Sequence, residues 1–420
     1  MNLLVISTNF PLIKGLAEYN LLKIQLKAVK SSFTKIFLLP TGRIQPQLDY
    51  SDSAYTIFLK FRCFKVFTLI FFVIYFFKYI NYLYDEIKNI NERKTLGQLW
   101  ASILAYLKGV YLLIFLKQSL KTNRIDPSEL LIYSFWFDDY LLGALFLKKQ
   151  FPNCKIIAGA HGHDLYPERH RQKRIPFRKK TIELIDHVIP DSEEGSVFLK
   201  SNYPEYSFKI STLNSGIEQK SIKTKPSNDG VFRILTLSRT HPVKRIEYLL
   251  KSLKKLENST EFEIHYFHIG SGDELNDLKK LRDQLNFKKF KINFKGRIDD
   301  NELKIFLEER PIDVFLNVSA SEGTSMSLIE ALSYAIPVVV TKVGGNKKIG
   351  EYCKTLLRVN FTPKELFWYF ERIYSNTTYR EKLKNLSYKY WEEFHDVKII
   401  SSEIKKIFKK TAVILIEDHI

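Results

Sequence analysis

Cysteine is scarce. Cys63, Cys154 and Cys353 are all there is, and no two share a C-x-x-C spacing. Three scattered thiols argue against a disulfide framework and a cysteine-built zinc site, and they suit a reducing cytosol. Other metal signatures are missing too. There is no H-E-x-x-H, and His161 with His163 has no third ligand in view. No D-x-D occurs, so a metal-held diphosphate is not indicated and no metal is expected. The opening MNLLVISTNFPL lacks a basic n-region and a cleavage site, and reads as a first strand, not a signal peptide. No repeat at solenoid periods is visible. Negative charge is outnumbered: 65 Lys and Arg against 46 Asp and Glu leave +19. That excess points to an anionic partner, whether nucleotide, nucleic acid or acidic membrane, with part of it serving solubility. No RNA-binding signature accompanies it, so nucleic acid is not expected.

What is present is alternation. NLLVIST, KIFLLP, LLIYSF, KIIAGAH and HVIPDS are strand candidates in the first half. FRILTLS, EIHYFHIG, KINFKGR, DVFLNVS and IPVVVT form a second series after residue 230. Near-continuous apolar strands separated by helices indicate parallel sheets covered on both faces. The fold class is therefore α/β, with two Rossmann-like domains expected to face each other across a cleft. The first spans 1–216, a linker 217–230 follows, and the second spans 231–395. A helical tail, 396–420, is expected to pack back on the first domain.

One segment breaks the pattern, an insertion at about 55–120. FLKFRCFKVFTLIFFVIYFFKYINYLY is apolar and aromatic with basic flanks. Its uncharged core, Val66 to Phe77, is about half the ~20 residues a spanning helix needs. It reads as an interfacial helix, with Lys60, Arg62, Lys65 and Lys78 meeting lipid phosphates, and GVYLLIFL as its companion. Core helices of the first domain are the competing reading.

The stretch SEGTSMSLIEALSYAIPVVVTKVGG carries two carboxylates, Glu322 and Glu330, across a helix start. It follows the buried strand DVFLNVS, and ligands of open α/β sheets bind beyond the carboxyl ends of strands. Ser327 to Glu330 reads as a capping box, and the free N–H groups of that helix offer an anion site. Eight helical residues span ~12 Å, the reach of a nucleotide sugar from ribose to hexose; Glu330 as a capping partner only and Glu322 as a solvated loop residue are the competing reading. Arg239 and Lys244 stand at the first strand-to-helix turn of the second series, either a fork and a point charge for phosphate or solvated loop cations. His161 ends a first-domain strand, where it either faces a cleft or caps the strand. The basic run Arg169 to Lys180, with Arg174 and Arg178, is a solvated face or a contact for an anionic lipid-linked acceptor, and Asp164 is expected on the same acceptor or membrane side. Gly15, after the first strand, permits close approach of a ligand or simply a turn. GSGDEL carries only G-x-G, which a turn with Asp273 as N-cap explains.

Together these stretches resemble the retaining glycosyltransferases of family GT4, with the GT-B fold. The E-x7-E element matches Glu322 to Glu330 and the R-x4-K element matches Arg239 and Lys244. AHGHDLY is similar to the family's first-domain His-Gly motif, and LNSGIE to its N-x-G loop. YSFWFDD, HGHDLYPER and RIPFRKK resemble bacterial enzymes of capsular and exopolysaccharide assembly. The resemblance implies that Glu322 and the amides of Gly323, Thr324 and Ser325 contact the donor sugar, with Glu322 and His161 at the reaction centre. It implies that Glu330 holds the ribose and that Arg239 and Lys244 neutralise the diphosphate. Gly323-Thr324 replaces the common Gly-Phe, and Lys348 stands where many members are acidic. The expected activity is hexose transfer from a nucleotide diphosphate sugar, UDP favoured over GDP, to a lipid-linked glycan, by a cytoplasmic enzyme peripheral on the inner membrane face. A nucleotide-sugar epimerase and a non-enzymatic anion-binding protein are the alternatives.

Overall fold

The computed structural model describes residues 1–11, 17–42, 55–57, 66–90, 95–220 and 222–417, with the side chains of 17, 66–68 and 413–417 left out. Gly15, Lys60, Arg62, Cys63 and Lys65 lie outside the described residues. The chain divides into two units. One holds Met1–Asn214 with Ser401–Ile420, the other Ser215–Ile400.

In the first unit the strands are β1 (Asn2–Ser7), β2 (Ile36–Pro40), β3 (Tyr55–Ile57), β4 (Leu130–Ser134), β5 (Lys155–Ala160) and β6 (His187–Pro190). In the second they are β7 (Val231–Leu237), β8 (Glu263–Ile269), β9 (Lys291–Gly296), β10 (Val314–Asn317), β11 (Val338–Thr341) and β12 (Leu356–Leu357). The sheet orders are β3-β2-β1-β4-β5-β6 and β12-β11-β10-β7-β8-β9, and the pairings are parallel. Each sheet is thus doubly wound, with its order reversing beside its first strand. That reversal lies between β1 and β4 in one unit and between β7 and β10 in the other. Crossovers on opposite faces splay apart there and leave a crevice at the strands' carboxyl ends. The ten strands expected from the alternation all form. The additions, β3 and β12, are three- and two-residue edge strands, too short to show a period.

Helices cover the sheets because their apolar residues repeat at helical spacing. In Ile246–Leu256 the buried residues include Ile246, Leu249, Leu250, Leu253 and Leu256, one stripe on one face. Among the described residues, Leu96–Thr122 is long and apolar enough to cross a membrane, yet half of its most apolar window is buried in the protein. GVYLLIFL lies within it, and Val110, Leu112, Leu113 and Leu116 are fully buried. The expected interfacial companion is therefore a core helix of the first unit. The helix Val66–Lys78 differs. Phe72, Tyr75 and Phe76 turn inward against the core. Leu69, Ile70, Val73, Ile74 and Phe77 are about half exposed or more.

The stretch expected to link the units belongs to the second and packs on it. The Thr224 N–H donates to the Tyr334 carbonyl at 2.9 Å, and Ser227 is held by Asp313. Residues from Ser401 belong with the first unit, where Phe408 meets Tyr133 with ring centroids 5.2 Å apart.

Candidate active site

In the second unit the site is built at the β7–β10 reversal. β7 ends at Leu237, and Arg239 projects from the next turn, exposed. His241 opens a short turn over Pro242–Lys244, and Arg245 adopts a left-handed conformation before the helix starts. The Ala320 N–H donates to the Val243 carbonyl at 2.8 Å, tying this turn to the loop after β10.

Glu322 sits on that loop with its side chain only 8% exposed. Its Oε1 accepts from three groups: Lys244 Nζ at 2.6 Å, Ser319 Oγ at 2.7 Å and Asn317 Nδ2 at 3.1 Å. A buried carboxylate needs such partners to remain there. Asn317 also reaches Ser325 Oγ at 3.1 Å, so one amide fixes both ends of the loop. Thr341 Oγ1 donates to the Ser319 carbonyl at 2.6 Å, holding the loop against β11. Lys244 and Glu322, far apart in sequence, are thus one ion pair on a braced carboxylate.

Glycines make the bracing possible. Gly344 has φ +40°, and a Cβ there would lie 1.9 Å from the Glu322 carbonyl. The helix Gly344–Cys353 can start against the Glu322 backbone only because that position has no side chain. The G-x-G of GSGDEL has a related reason: a Cβ on Gly270 would lie 1.9 Å from the Ser238 carbonyl. These glycines let the β8 loop pack beneath the turn that carries Arg239.

Glu330 is placed differently from the expected capping box. The helix spans Met326–Ser333 with Ser325 as N-cap, and no side chain caps it. Ser325 is buried and engaged by Asn317, so the capping position falls before Ser327. Glu330 instead pairs with Lys220 Nζ at 2.6 Å. Lys220 stands over the Tyr334 ring at 5.2 Å, which fixes it from a second side.

In the first unit His161 follows β5. Its Nδ1 faces Asp191 Oδ2 at 3.1 Å and its Nε2 faces the Phe135 carbonyl at 3.2 Å. The ring stacks on Phe135 with centroids 4.3 Å apart and meets the edge of Trp136. Burial opposes its charge, but the Asp191 hydrogen bond and carboxylate outweigh that, with Asp164 and the Phe135 carbonyl adding, so its pKa is raised. Acceptors at both ring nitrogens suit the doubly protonated ring. After β4, burial and then the charge of Asp139 push Asp138 up to about 7.

Asp164 and Arg178, expected on the acceptor or membrane side, are buried. Asp164 accepts from the Phe137 N–H at 2.6 Å and from the His161 N–H. Arg178 donates to the carbonyls of Phe137 and Asp164 and lies 3.7 Å over the Phe137 ring. The two tie the ends of β4 and β5 together, and Arg178 also lines a cavity of this unit. Arg174 pairs with Glu86 and donates to Ser102 Oγ at 3.0 Å, beside a cavity of about 600 Å³ in this unit.

Residues 218–390 match the family profile Glycosyl transferases group 1. The match covers most of the second unit, which is thus similar to glycosyltransferase domains of that group. Its matched range contains Arg239, Lys244, Glu322 and Glu330. Over 320 residues the chain is 24% identical to an uncharacterized glycosyltransferase of Methanocaldococcus jannaschii, covering 72% of this chain and 80% of that one. Over 161 residues it is 29% identical to the Escherichia coli O-antigen biosynthesis glycosyltransferase WbnH, 38% of this chain and 43% of that one. The crystal structure of Anabaena HepE in complex with UDP matches with a TM-score of 0.65 and 16% identity, over 97% of this chain and 99% of that one. The architecture is thus that of GT-B glycosyltransferases, with the family match on the second of two doubly wound units.

Sequence reasoning missed Asn317, Ser319, Lys220 and Asp191. Asn317 had a usable signal: it is the one polar residue inside the otherwise apolar strand VFLN. Lys220 had none, because its stretch reads as polar linker.

Proposed function

We propose that this protein transfers a hexose from a nucleotide diphosphate sugar to a lipid-linked glycan, with retention of anomeric configuration and without a metal ion. The observation that carries the reading is the Lys244–Glu322 pair at the β7–β10 reversal, with Glu322 held by Asn317 and Ser319. Lys244 and the exposed Arg239 supply the positive charge that a departing diphosphate requires, in place of a metal. Glu322 and the backbone of Gly323, Thr324 and Ser325 are assigned to the transferred sugar, and Glu330, positioned by Lys220, to the ribose. His161 is assigned to the acceptor side, where its hydrogen bonds to Asp191 and the Phe135 carbonyl fix the ring. UDP is favoured as the nucleotide, in line with the UDP bound to HepE.

The helix Val66–Lys78 supports a membrane-bound acceptor. Its outward stripe of Leu69, Ile70, Val73, Ile74 and Phe77 is as apolar as its inward one. A helix apolar on both faces needs a second apolar partner. Lys78 at its end adds attraction to anionic headgroups on the cytoplasmic leaflet. This favours membrane-bound glycan over free nucleotide-sugar isomerisation, and it fits polysaccharide assembly of the O-antigen, capsule or exopolysaccharide kind.

Two measurements test this. The protein is incubated with labelled nucleotide sugars and a membrane extract, and the anomeric configuration of the product is read by NMR. Label in the lipid fraction with the donor's configuration supports the reading; free sugar alone, or inversion, contradicts it. Flotation on phosphatidylglycerol vesicles tests the membrane face, with Ile74→Ser/Phe77→Ser expected to stay soluble. Equal flotation of wild type and variant contradicts that assignment.

A further inference from the structure

A groove of about 760 Å³ opens in the first unit between the helices Val66–Lys78 and Leu96–Thr122. Its walls are apolar: Phe71, Ile114, Leu120, Ile125, Leu147 and Phe151 are among them. The volume is that of an ordinary small-molecule pocket. Its polar groups are sorted by sign. Lys117 and Lys121 line it, and the described lining holds no carboxylate. The nearby Asp126 is turned to its own backbone, accepting from the Ser128 N–H at 2.9 Å.

Lys117 is held without a counter-charge. Its Nζ donates to Tyr75 Oη and to Gln150 Oε1, both at 2.7 Å, and lies 5.0 Å from the Tyr75 ring centroid. Lys121, one turn further on, is exposed. The groove is therefore an apolar slot with two cations and, among the described lining residues, no acid to neutralise them. It is continuous through Phe71 with the outward stripe of Val66–Lys78.

We infer that this groove takes one acyl chain of an anionic phospholipid, with the lipid phosphate between Lys117 and Lys121. The inference rests on the membrane reading above and adds a defined lipid site to it. The occupant is an anchor and not the glycan acceptor. Ile125 and Pro127 precede β4, so the groove lies at the amino end of a parallel sheet whose carboxyl end carries His161. A lipid there holds the first unit on the bilayer by its base and leaves the reactive edge clear.

The test uses lyso-phosphatidylglycerol below its micelle concentration, titrated calorimetrically into the whole protein. Wild type is expected to bind one molecule per chain. Lys121→Glu, on an exposed position that leaves folding undisturbed, is expected to weaken binding at least tenfold. Ile125→Trp, which fills the slot, should abolish it. Uncharged monoacylglycerol of the same chain length should bind at least tenfold more weakly. The Ile74→Ser/Phe77→Ser variant should lose vesicle flotation yet keep the lysolipid site, which separates the two proposals. A wild type that floats but binds no lysolipid, or a Lys121→Glu variant that binds it unchanged, overturns the groove assignment.

Discussion

Lys244→Ala should weaken UDP binding more than Arg239→Ala does, for a reason visible in the free protein. Each change removes a charge-assisted contact to the diphosphate, a loss of about 1.5–3 kcal/mol or roughly 10- to 150-fold in Kd. Lys244 has a second role. Its Nζ lies 2.6 Å from Glu322 Oε1, where two unit charges interact by about 6 kcal/mol gross at an effective dielectric of ~20. Desolvation cancels much of that, and contacting charges commonly retain a coupling of about 1–3 kcal/mol. Without Lys244 the Glu322 carboxylate stays in place, because Asn317 and Ser319 still donate to it. It then repels an incoming diphosphate. Neutralising it should restore part of the loss, so Lys244→Ala/Glu322→Gln should bind UDP more tightly than Lys244→Ala. Arg239→Ala/Glu322→Gln should show no such recovery. Calorimetry on the six proteins decides the matter. Strict additivity in the Lys244 cycle would refute the reasoning, since the pair would then be a contact without energetic consequence for the site.

Other outcomes follow from particular contacts. His268 and His395 are buried in the second unit and burial depresses both to about 4; between pH 6.5 and 4 the unfolded chain binds more protons, so stability is full above 6.5 and falls on acidification, by up to ~3 kcal/mol per histidine. Urea titrations at pH 7 and pH 5 check the sign, and equal midpoints contradict it. Gly344→Ala places a methyl 1.9 Å from the Glu322 carbonyl at a positive φ; it should cost about 2–3 kcal/mol and displace the Glu322 loop, seen as a lower Tm and a matching loss of turnover. In Asp191→Asn the His161 ring should titrate at lower pH, because Asp191 supplies the largest contribution raising it; imidazole NMR shifts read this directly, and an unmoved titration refutes the assignment.

How far the sequence carried depends on the length scale of each signal. Strands buried on both faces, such as VVVT and LLIYS, announce themselves as apolar runs, and their alternation with helices fixes the parallel topology. Edge strands of two or three residues carry no such signal. The places of Arg239, Lys244 and Glu322 in the fold were legible because strand ends and helix starts bracket them. Their energetics were not: the Lys244–Glu322 pair joins two loops that only the sheet order brings together. Glu330 shows the limit from the other side. Its local pattern suggested a cap, but Asn317 claims Ser325 and starts the helix earlier, and a lysine from a polar stretch takes the carboxylate. Asp164 and Arg178 were expected on the acceptor or membrane side; nothing local shows that backbone N–H groups will hold the carboxylate and carbonyls the guanidinium. The two apolar stretches of the first unit looked alike in composition. Only packing separates Leu96–Thr122, enclosed in the core, from Val66–Lys78, left with an open face.

The central claim is that Glu322 serves the transferred sugar while Lys244 and Arg239 grip the diphosphate. The most direct measurement compares wild type and Glu322→Gln with a donor found active in the labelled panel, reading turnover and UDP affinity together. Gln preserves the loop, since its amide oxygen still accepts from Asn317 and Ser319, and removes only the charge. An interaction gained in the transition state is lost from kcat and not from ground-state binding. The account predicts turnover reduced by about a hundredfold or more with UDP affinity equal to or slightly above wild type. Turnover at the wild-type level in Glu322→Gln would contradict it.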